Sequence, residues 1–264
     1  VGCAGPAAHG PCLRGPLHDG DLNEHRSWRV RPGGSLPTVD GPVRTVDPVQ
    51  VASRTDVGHV RRRNEDSLLV LADVGVFVVA DGLGGHPAGD VASQTAVARL
   101  REVLADGPPE GEDPGSVVAG SLVATHDAVV AAAQDDPDRT GMATTGVLAI
   151  VRDGTAYVGH VGDSRAYLLR GTALAPLTKD HGMGGYLTQA LGLDRQVSPD
   201  VTKVDLGTGD RLLLCTDGLT NMVPEEQIGA LLAQGDAQQA CDALVGAALE
   251  AGGVDNVTVI VVVG

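Results

Sequence analysis

The chain has 264 residues, of which 42% are apolar and only 2% aromatic, and its formal net charge is −15. Length and apolar content suffice for a substantial core, most simply one domain of about 200 residues with a tail. Scarce aromatics argue against a base-stacking platform, and a negative field of this size opposes nucleic acid or an anionic membrane as partner.

Residues 1–47 are rich in Gly and Pro and show no hydrophobic period, which reads as a disordered leader ahead of a domain over 48–264. No secretory apolar segment occurs among the first thirty residues. The longest unbroken apolar runs, Val74 to Ala80 and Val257 to Val263, have about seven residues, against the ~20 needed to cross a bilayer. A cytoplasmic monomer is the expectation. Cys3, Cys12, Cys215 and Cys241 have neither the spacing of a zinc knuckle nor the density of a disulfide scaffold. Lys179 and Lys203 are the only lysines against many arginines, a usage typical of GC-rich bacterial genomes.

From Val49 the texture changes. Strands are predicted over 49–53, 66–72 and 74–80, then a helix from Pro87 through Val91, Ala92, Thr95, Ala96, Leu100, Val103 and Leu104, with proline in the first turn. A second helix is predicted over Val117 to Ala133. Strands follow at 144–151, 155–161, 165–169, 201–205 and 211–216, the first two joined by the turn signal Asp153-Gly154. Helices over 224–233 and 237–251 and a strand over 257–263 close the chain. Strands in series with helices in pairs indicate an α+β domain of antiparallel sheets covered by helices.

Carboxylates recur where these strands stop or start. The run Val78, Val79, Ala80 ends on Asp81-Gly82, and Leu212, Leu213, Leu214, Cys215 and Thr216 lead into Asp217-Gly218. Asp255 precedes the last strand, Asp163 lies in the turn Gly162 to Arg165, and Glu65 and Asp66 open the second strand. Each alone is more often a cap or turn residue. Together they point to a shared cation, because crowded buried carboxylates repel one another unless positive charge neutralises them. Oxygen-only ligands suit Mg²⁺ or Mn²⁺ rather than zinc.

The ordered series Arg61, Arg62, Arg63, Asn64, Glu65, Asp66; Asp81-Gly82-Leu83-Gly84-Gly85-His86; Gly162-Asp163-Ser164-Arg165; Asp180-His181; Leu187 to Gly192; Thr216-Asp217-Gly218; and Asp255-Asn256 resembles the PPM, or type 2C, metal-dependent Ser/Thr protein phosphatases. The resemblance runs from about Val49 to the C-terminus. It implies a four-layer α-β-β-α sandwich, two mostly antiparallel sheets flanked by helices, with two Mn²⁺ or Mg²⁺ ions in the cleft between the sheets. It also implies hydrolysis of phosphoserine and phosphothreonine on proteins by hydroxide activated at those ions, with phosphorylated proteins and a Ser/Thr protein kinase as partners. By position Asp81 bridges both ions, Gly82 offers its carbonyl to one, and Asp217 and Asp255 hold the other. Glu65 and Asp66 hold waters, Asp163 with Asp217 makes a third, weaker ion site, and Arg61 binds the substrate phosphate.

The sequence departs from the family pattern in three places. Leu83 stands where many relatives carry His, which leaves the general acid unassigned. His86 is more simply a brace for the turn. Only Gly182, Met183, Gly184, Gly185 and Tyr186 separate His181 from Leu187, so the family's flap is expected to be largely missing, the cleft open and the third ion site disturbed. Ala143 replaces the Gly before Thr144 and Thr145, threonines read as packing residues. A cysteine phosphatase is excluded, since Cys215 has no following arginine. A non-catalytic, phosphatase-like module that binds a kinase or sensor is the alternative, opposed by the intact set Asp81, Asp217 and Asp255.

Overall fold

The computed structural model describes residues 50–83, 88–183, 186–193 and 196–264. All of them fall in the second of the chain's two units, Arg44–Gly264. The leader, the Gly84 to Pro87 segment with His86, and the centre of the shortened flap lie outside the described residues.

The strands are β1 (Gln50–Asp56), β2 (Asp66–Leu71), β3 (Val76–Asp81), β4 (Gly146–Arg152), β5 (Thr155–Val161), β6 (Arg165–Arg170), β7 (Ala173–Pro176), β8 (Gly182–Met183), β9 (Tyr186–Leu187), β10 (Asp200–Asp205), β11 (Arg211–Cys215) and β12 (Val257–Val263). The helices are α1 (Gly89–Leu104), α2 (Pro114–Gln134), α3 (Asp217–Thr220), α4 (Glu225–Leu232) and α5 (Ala237–Glu250). Two five-stranded sheets form, in the orders β1-β12-β11-β6-β7 and β10-β5-β4-β3-β2, with β8 and β9 as a separate hairpin. The pairs within both sheets are antiparallel.

Strand alternation sorts the apolar residues into layers. On β3, Val76 and Val78 face α1 and α2, while Phe77 and Val79 face the other sheet. On β11, Leu212 and Leu214 point into the space between the sheets, and Leu213 and Cys215 point toward α4 and α5. On β12, Ile260 and Val262 take the inner face and Val257, Val259 and Val261 the helix face. The four-layer sandwich follows from these period-2 patterns, which let a run of small aliphatic residues be buried on both sides.

Several boundaries differ from expectation. The second helix starts at Pro114 because Asp113 caps it, accepting Ser116 N–H at 2.8 Å, a signal the apolar spacing did not carry. That helix is long and apolar enough by composition to cross a membrane. Here it packs on the β10-β5-β4-β3-β2 sheet through Val117, Val118, Leu122 and Val129, with Ser121, Thr125 and His126 also buried. The third strand begins at Val76 rather than Val74, after a short 3-10 turn closed by left-handed Gly75. The first helix starts at Gly89, two residues after the expected proline. Strands β7, β8 and β9 had no hydrophobic pattern strong enough to predict them.

Candidate active site

Antiparallel pairing brings the acids to one end of the sandwich. Asp66, the first residue of β2, is directly opposite Asp81, the last residue of β3. In the other sheet β11 ends at Cys215, beside the start of β12, so Asp217 and Asp255 stand at that same kind of edge. Asp217 does not end its strand as expected. The strand stops two residues earlier, and Asp217 opens the short helix α3 with Thr216 at the N-cap.

The two Asp-Gly pairs have a common packing reason. A Cβ on Gly82 would collide with the Gly89 carbonyl, and one on Gly218 with the Asn256 carbonyl. Each glycine lets a neighbouring backbone close on the turn that carries the acid.

Arg61, Glu65, Asp81, Gly82, Leu83, Asp163, Asp217 and Asp255 line a single cleft of about 190 Å³. Larger hollows exist elsewhere, one of about 450 Å³ between β7 and α4, so charge rather than size marks this one. Arg61 Nη2 donates to Asp255 Oδ2 at 2.7 Å. Asp66 lies just behind, its Oδ2 accepting from Thr216 Oγ1 at 2.9 Å and Thr258 Oγ1 at 2.7 Å. Its other oxygen, Oδ1, is buried with no hydrogen-bond partner.

Electrostatics match that geometry. Burial, and then the neighbouring carboxylates Asp217 and Asp255 against two threonine hydrogen bonds, leave the Asp66 carboxyl pushed up to about 7. Asp81 is raised well above the ordinary carboxylate range by burial and by Asp66, Asp217 and Asp255. Asp217 is raised by burial and Asp255, and Asp163 is raised to about 6 by burial and Asp217. Glu65 is raised by burial, opposed by Arg61. Without further positive charge these carboxyls bind protons more tightly than free ones do. An orphaned buried oxygen, oxygen-only donors and acids that repel one another fit divalent cations of the Mg²⁺ or Mn²⁺ type.

The sequence matches the family Protein phosphatase 2C over residues 58–246. The chain belongs to the protein phosphatase 2C family. Serine/threonine phosphatase stp of Listeria monocytogenes is 34% identical over 235 residues, 79% of this chain and 93% of that protein. Serine/threonine protein phosphatase PstP of Mycobacterium tuberculosis is 35% identical over 81% of this chain and 44% of that protein. Among solved structures, the catalytic domain of PstP in complex with two manganese ions superposes with a TM-score of 0.74 at 35% identity, covering 81% of this chain and 97% of that one. Stp1 of Staphylococcus aureus gives 0.77 at 29% identity, covering 82% and 95%.

This phosphatase also has supporting residues that sequence reasoning undervalued. Thr144 and Thr145, expected to be packing residues, clamp the backbone of Asp81. Thr144 Oγ1 donates to the Asp81 carbonyl at 2.8 Å, and Thr145 Oγ1 accepts the Asp81 N–H at 3.0 Å. The strand after them therefore starts only at Gly146. Asn256 accepts Glu65 N–H at 2.8 Å and donates to the Val57 and Arg63 carbonyls, tying the arginine-bearing segment to the far end of the chain. Thr216 and Thr258 were invisible because nothing local marks a threonine as the partner of a distant aspartate. Leu83 donates its N–H to the Ala143 carbonyl at 2.9 Å and presents no acid. Cys215 is fully buried with its thiol pushed up to about 12 by burial, which agrees with excluding cysteine chemistry.

Proposed function

We propose that the chain hydrolyses phosphoserine and phosphothreonine esters of proteins with Asp81, Gly82, Asp217 and Asp255 holding two Mn²⁺ or Mg²⁺ ions. Glu65 and Asp66 hold waters around them, and Asp163 with Asp217 offers a weaker third position. Held by these residues, the cations would supply Lewis acidity to lower the pKa of water and to offset charge on phosphorus.

The protein's own groups do the rest. The threonine pair fixes Asp81 at the end of β3, so its carboxyl reaches the cleft without backbone play. Thr216 and Thr258 hold one oxygen of Asp66, leaving the other buried without a protein partner. Arg61, half-exposed at the rim, can present a planar fork to the non-reacting oxygens of a phosphate. Among the described residues no side chain is placed to protonate the leaving alkoxide, and we assign that proton to solvent in the cleft.

The observation that carries this reading is the excess of buried carboxylate over cation. Five acids line or back the cleft with raised affinity for protons, and among the described residues lining it the half-exposed guanidinium of Arg61 is the one cation. A scaffold that only bound a kinase or sensor would gain nothing from so costly an arrangement. The deciding experiment is phosphate release from phosphoserine and phosphothreonine peptides by chelator-stripped protein, with and without added Mn²⁺. Metal-dependent release, lost in Asp217→Asn, supports the reading; none at any pH returns the binding-module alternative.

The net charge of −15 favours protein over nucleic-acid partners. We place the chain opposite a Ser/Thr protein kinase, in the cytoplasm, as a monomer with a leader over 1–47 and a catalytic domain over 48–264.

A further inference from the structure

Outside the acidic cleft, the described residues hold another cluster of metal-ligating side chains. One ligand atom each from His160, His181 and Asp200 lies within 4.8 Å of the other two. His160 on β5 is directly opposite Asp200 on β10, the edge strand, so both side chains leave the same face of the sheet. His181 is delivered from the other direction. Arg165 grips the preceding Asp180 through both carboxylate oxygens, at 2.8 and 2.7 Å, and the His181 ring stacks on His160 with centroids 4.5 Å apart. Both imidazoles are buried, whereas the Asp200 side chain is 66% exposed, which leaves an entry path from solvent.

Two imidazoles and one carboxylate differ in kind from the all-oxygen cleft. Nitrogen donors suit borderline cations such as Zn²⁺ or Co²⁺ over Mg²⁺ or Mn²⁺. His160 already holds the tautomer such a site needs. Its Nε2–H donates to the Lys179 carbonyl at 2.8 Å, leaving the lone pair on Nδ1, and a carbonyl on the far N–H is a common outer partner of a ligating imidazole. His181 Nε2 stands 3.2 Å from Asp200 Oδ2. Two ligands of a tetrahedral ion with bonds of ~2.0–2.1 Å are ~3.3 Å apart, so this pair is close to a ligand edge. Exposed Asp200 can close its own distance to an ion, whereas the His160–His181 separation, within 4.8 Å, closes only by a shift of one of the stacked rings.

We propose that His160, His181 and Asp200 form a second cation site, selective for a zinc-type ion and coupled to the acidic cleft. The coupling runs through one of two hydrogen bonds between His181 and Gly162, the other being His181 N–H to the Gly162 carbonyl at 2.8 Å. Without an ion, His181 Nδ1 accepts the Gly162 N–H at 3.3 Å, and Nε2 carries the ring proton toward Asp200. An ion on Nε2 requires that proton to move to Nδ1, where Gly162 can no longer donate. Gly162 precedes Asp163, which lines the cleft, so filling one site loosens the turn that carries an acid of the other.

The test uses Co²⁺ and the full chain carrying Asp81→Asn and Asp217→Asn, so that the acidic cleft is crippled. Intense visible d–d bands, which nitrogen-ligated Co²⁺ of low coordination number gives and octahedral oxygen-ligated Co²⁺ does not, are expected to saturate at one equivalent and to be displaced by Zn²⁺. His160→Gln or Asp200→Asn in that background should weaken binding by roughly tenfold or more. Because Asp200 is exposed, an unchanged melting curve for Asp200→Asn separates loss of a ligand from loss of fold. Bands that persist in both variants would come from Cys3, Cys12 and the histidines of the leader and would overturn the proposal. So would folded protein that gives no intense bands, which would leave the cluster a hydrogen-bonded strut. For the coupling, one equivalent of Zn²⁺ should weaken Mn²⁺ binding several-fold more in the otherwise unaltered chain than in Asp200→Asn. Equal weakening in the two sinks the coupling.

Discussion

Asp210 and Asp66 are hidden from solvent to nearly the same degree, 5% and 9% exposed; Asp210 immediately precedes β11, and Asp66, on β2, bonds Thr216 just past the other end of that strand. Asp210 receives Arg170 through Nη2 at 2.7 Å and Nε at 3.1 Å, together with the Gly207 N–H, and its carboxyl is held below the usual range by the arginine. Asp66 receives two neutral hydroxyls, keeps an orphaned oxygen, and is pushed up to about 7 by burial and its acidic neighbours. The same chain supplies an internal cation at one end of the sandwich and withholds it at the other. Where it withholds, the balancing charge has to arrive from solution, and that requirement separates a structural aspartate from a functional one.

The comparison can be broken most severely at the cleft itself. Asp81→Asn or Asp217→Asn should lower kcat/KM on a phosphopeptide with Mn²⁺ by at least about 10²–10³-fold. The same variants should stabilise the metal-free protein by about 0.5–2 kcal/mol in urea melts, because they remove mutual repulsion. A variant that lost activity and stability together would contradict the account of a strained, cation-demanding cleft.

Arg61 comes next. Arg61→Ala should raise KM for the phosphopeptide roughly 10–100-fold, the worth of a charge-assisted hydrogen bond, with a smaller change in kcat. Arg61→Lys should recover part of that loss, since the charge returns without the fork. A fall in kcat alone would place Arg61 in the chemistry rather than in substrate binding.

A subtler distinction lies in pH. Asp66 and Asp163 have folded-state pKa values near 7 and 6, above the unfolded value of 3.8, so the folded apo protein binds extra protons between these limits. Its stability should therefore fall as pH rises through that window, and melting should occur at a higher temperature at about pH 5.5 than at about pH 7.5. Mn²⁺ should reverse the trend and release protons on binding, visible as calorimetric heats that depend on the ionisation enthalpy of the buffer. Proton-neutral binding would show that the acids are not the ligands. The smallest effect belongs to the other end of β11, where Asp210→Asn should lower the melting temperature by a few degrees and leave kcat/KM unchanged.

Much of the architecture was readable in advance because small aliphatic strands alternate faces and their order limits the ways two antiparallel sheets can close. Boundaries were misread where polar side chains set them: Asp113 at the start of α2, Thr144 and Thr145 ahead of β4, and Thr216 ahead of α3. Asp81, Asp217 and Asp255 could be singled out because an acid beside glycine at the end of an apolar run is an uncommon conjunction. The threonines that hold Asp81 and Asp66 could not, because a hydroxyl carries no signal until its partner, 63 to 192 residues away, is brought to it. His160, His181 and Asp200 stayed unread for the same reason.

By itself the sequence determined which residue types face which layer, how many acids interrupt the strands, and that their charge exceeds what nearby arginines neutralise, since these are properties of local pattern and composition. Only the tertiary structure decided that the acids share one cleft, that Arg61 rests on Asp255, and which hydroxyls and backbone groups fix each carboxylate. Those depend on strand register and on contacts across the sandwich, and a register shift of a single residue in β2 or β3 would turn Asp66 or Asp81 to the opposite face.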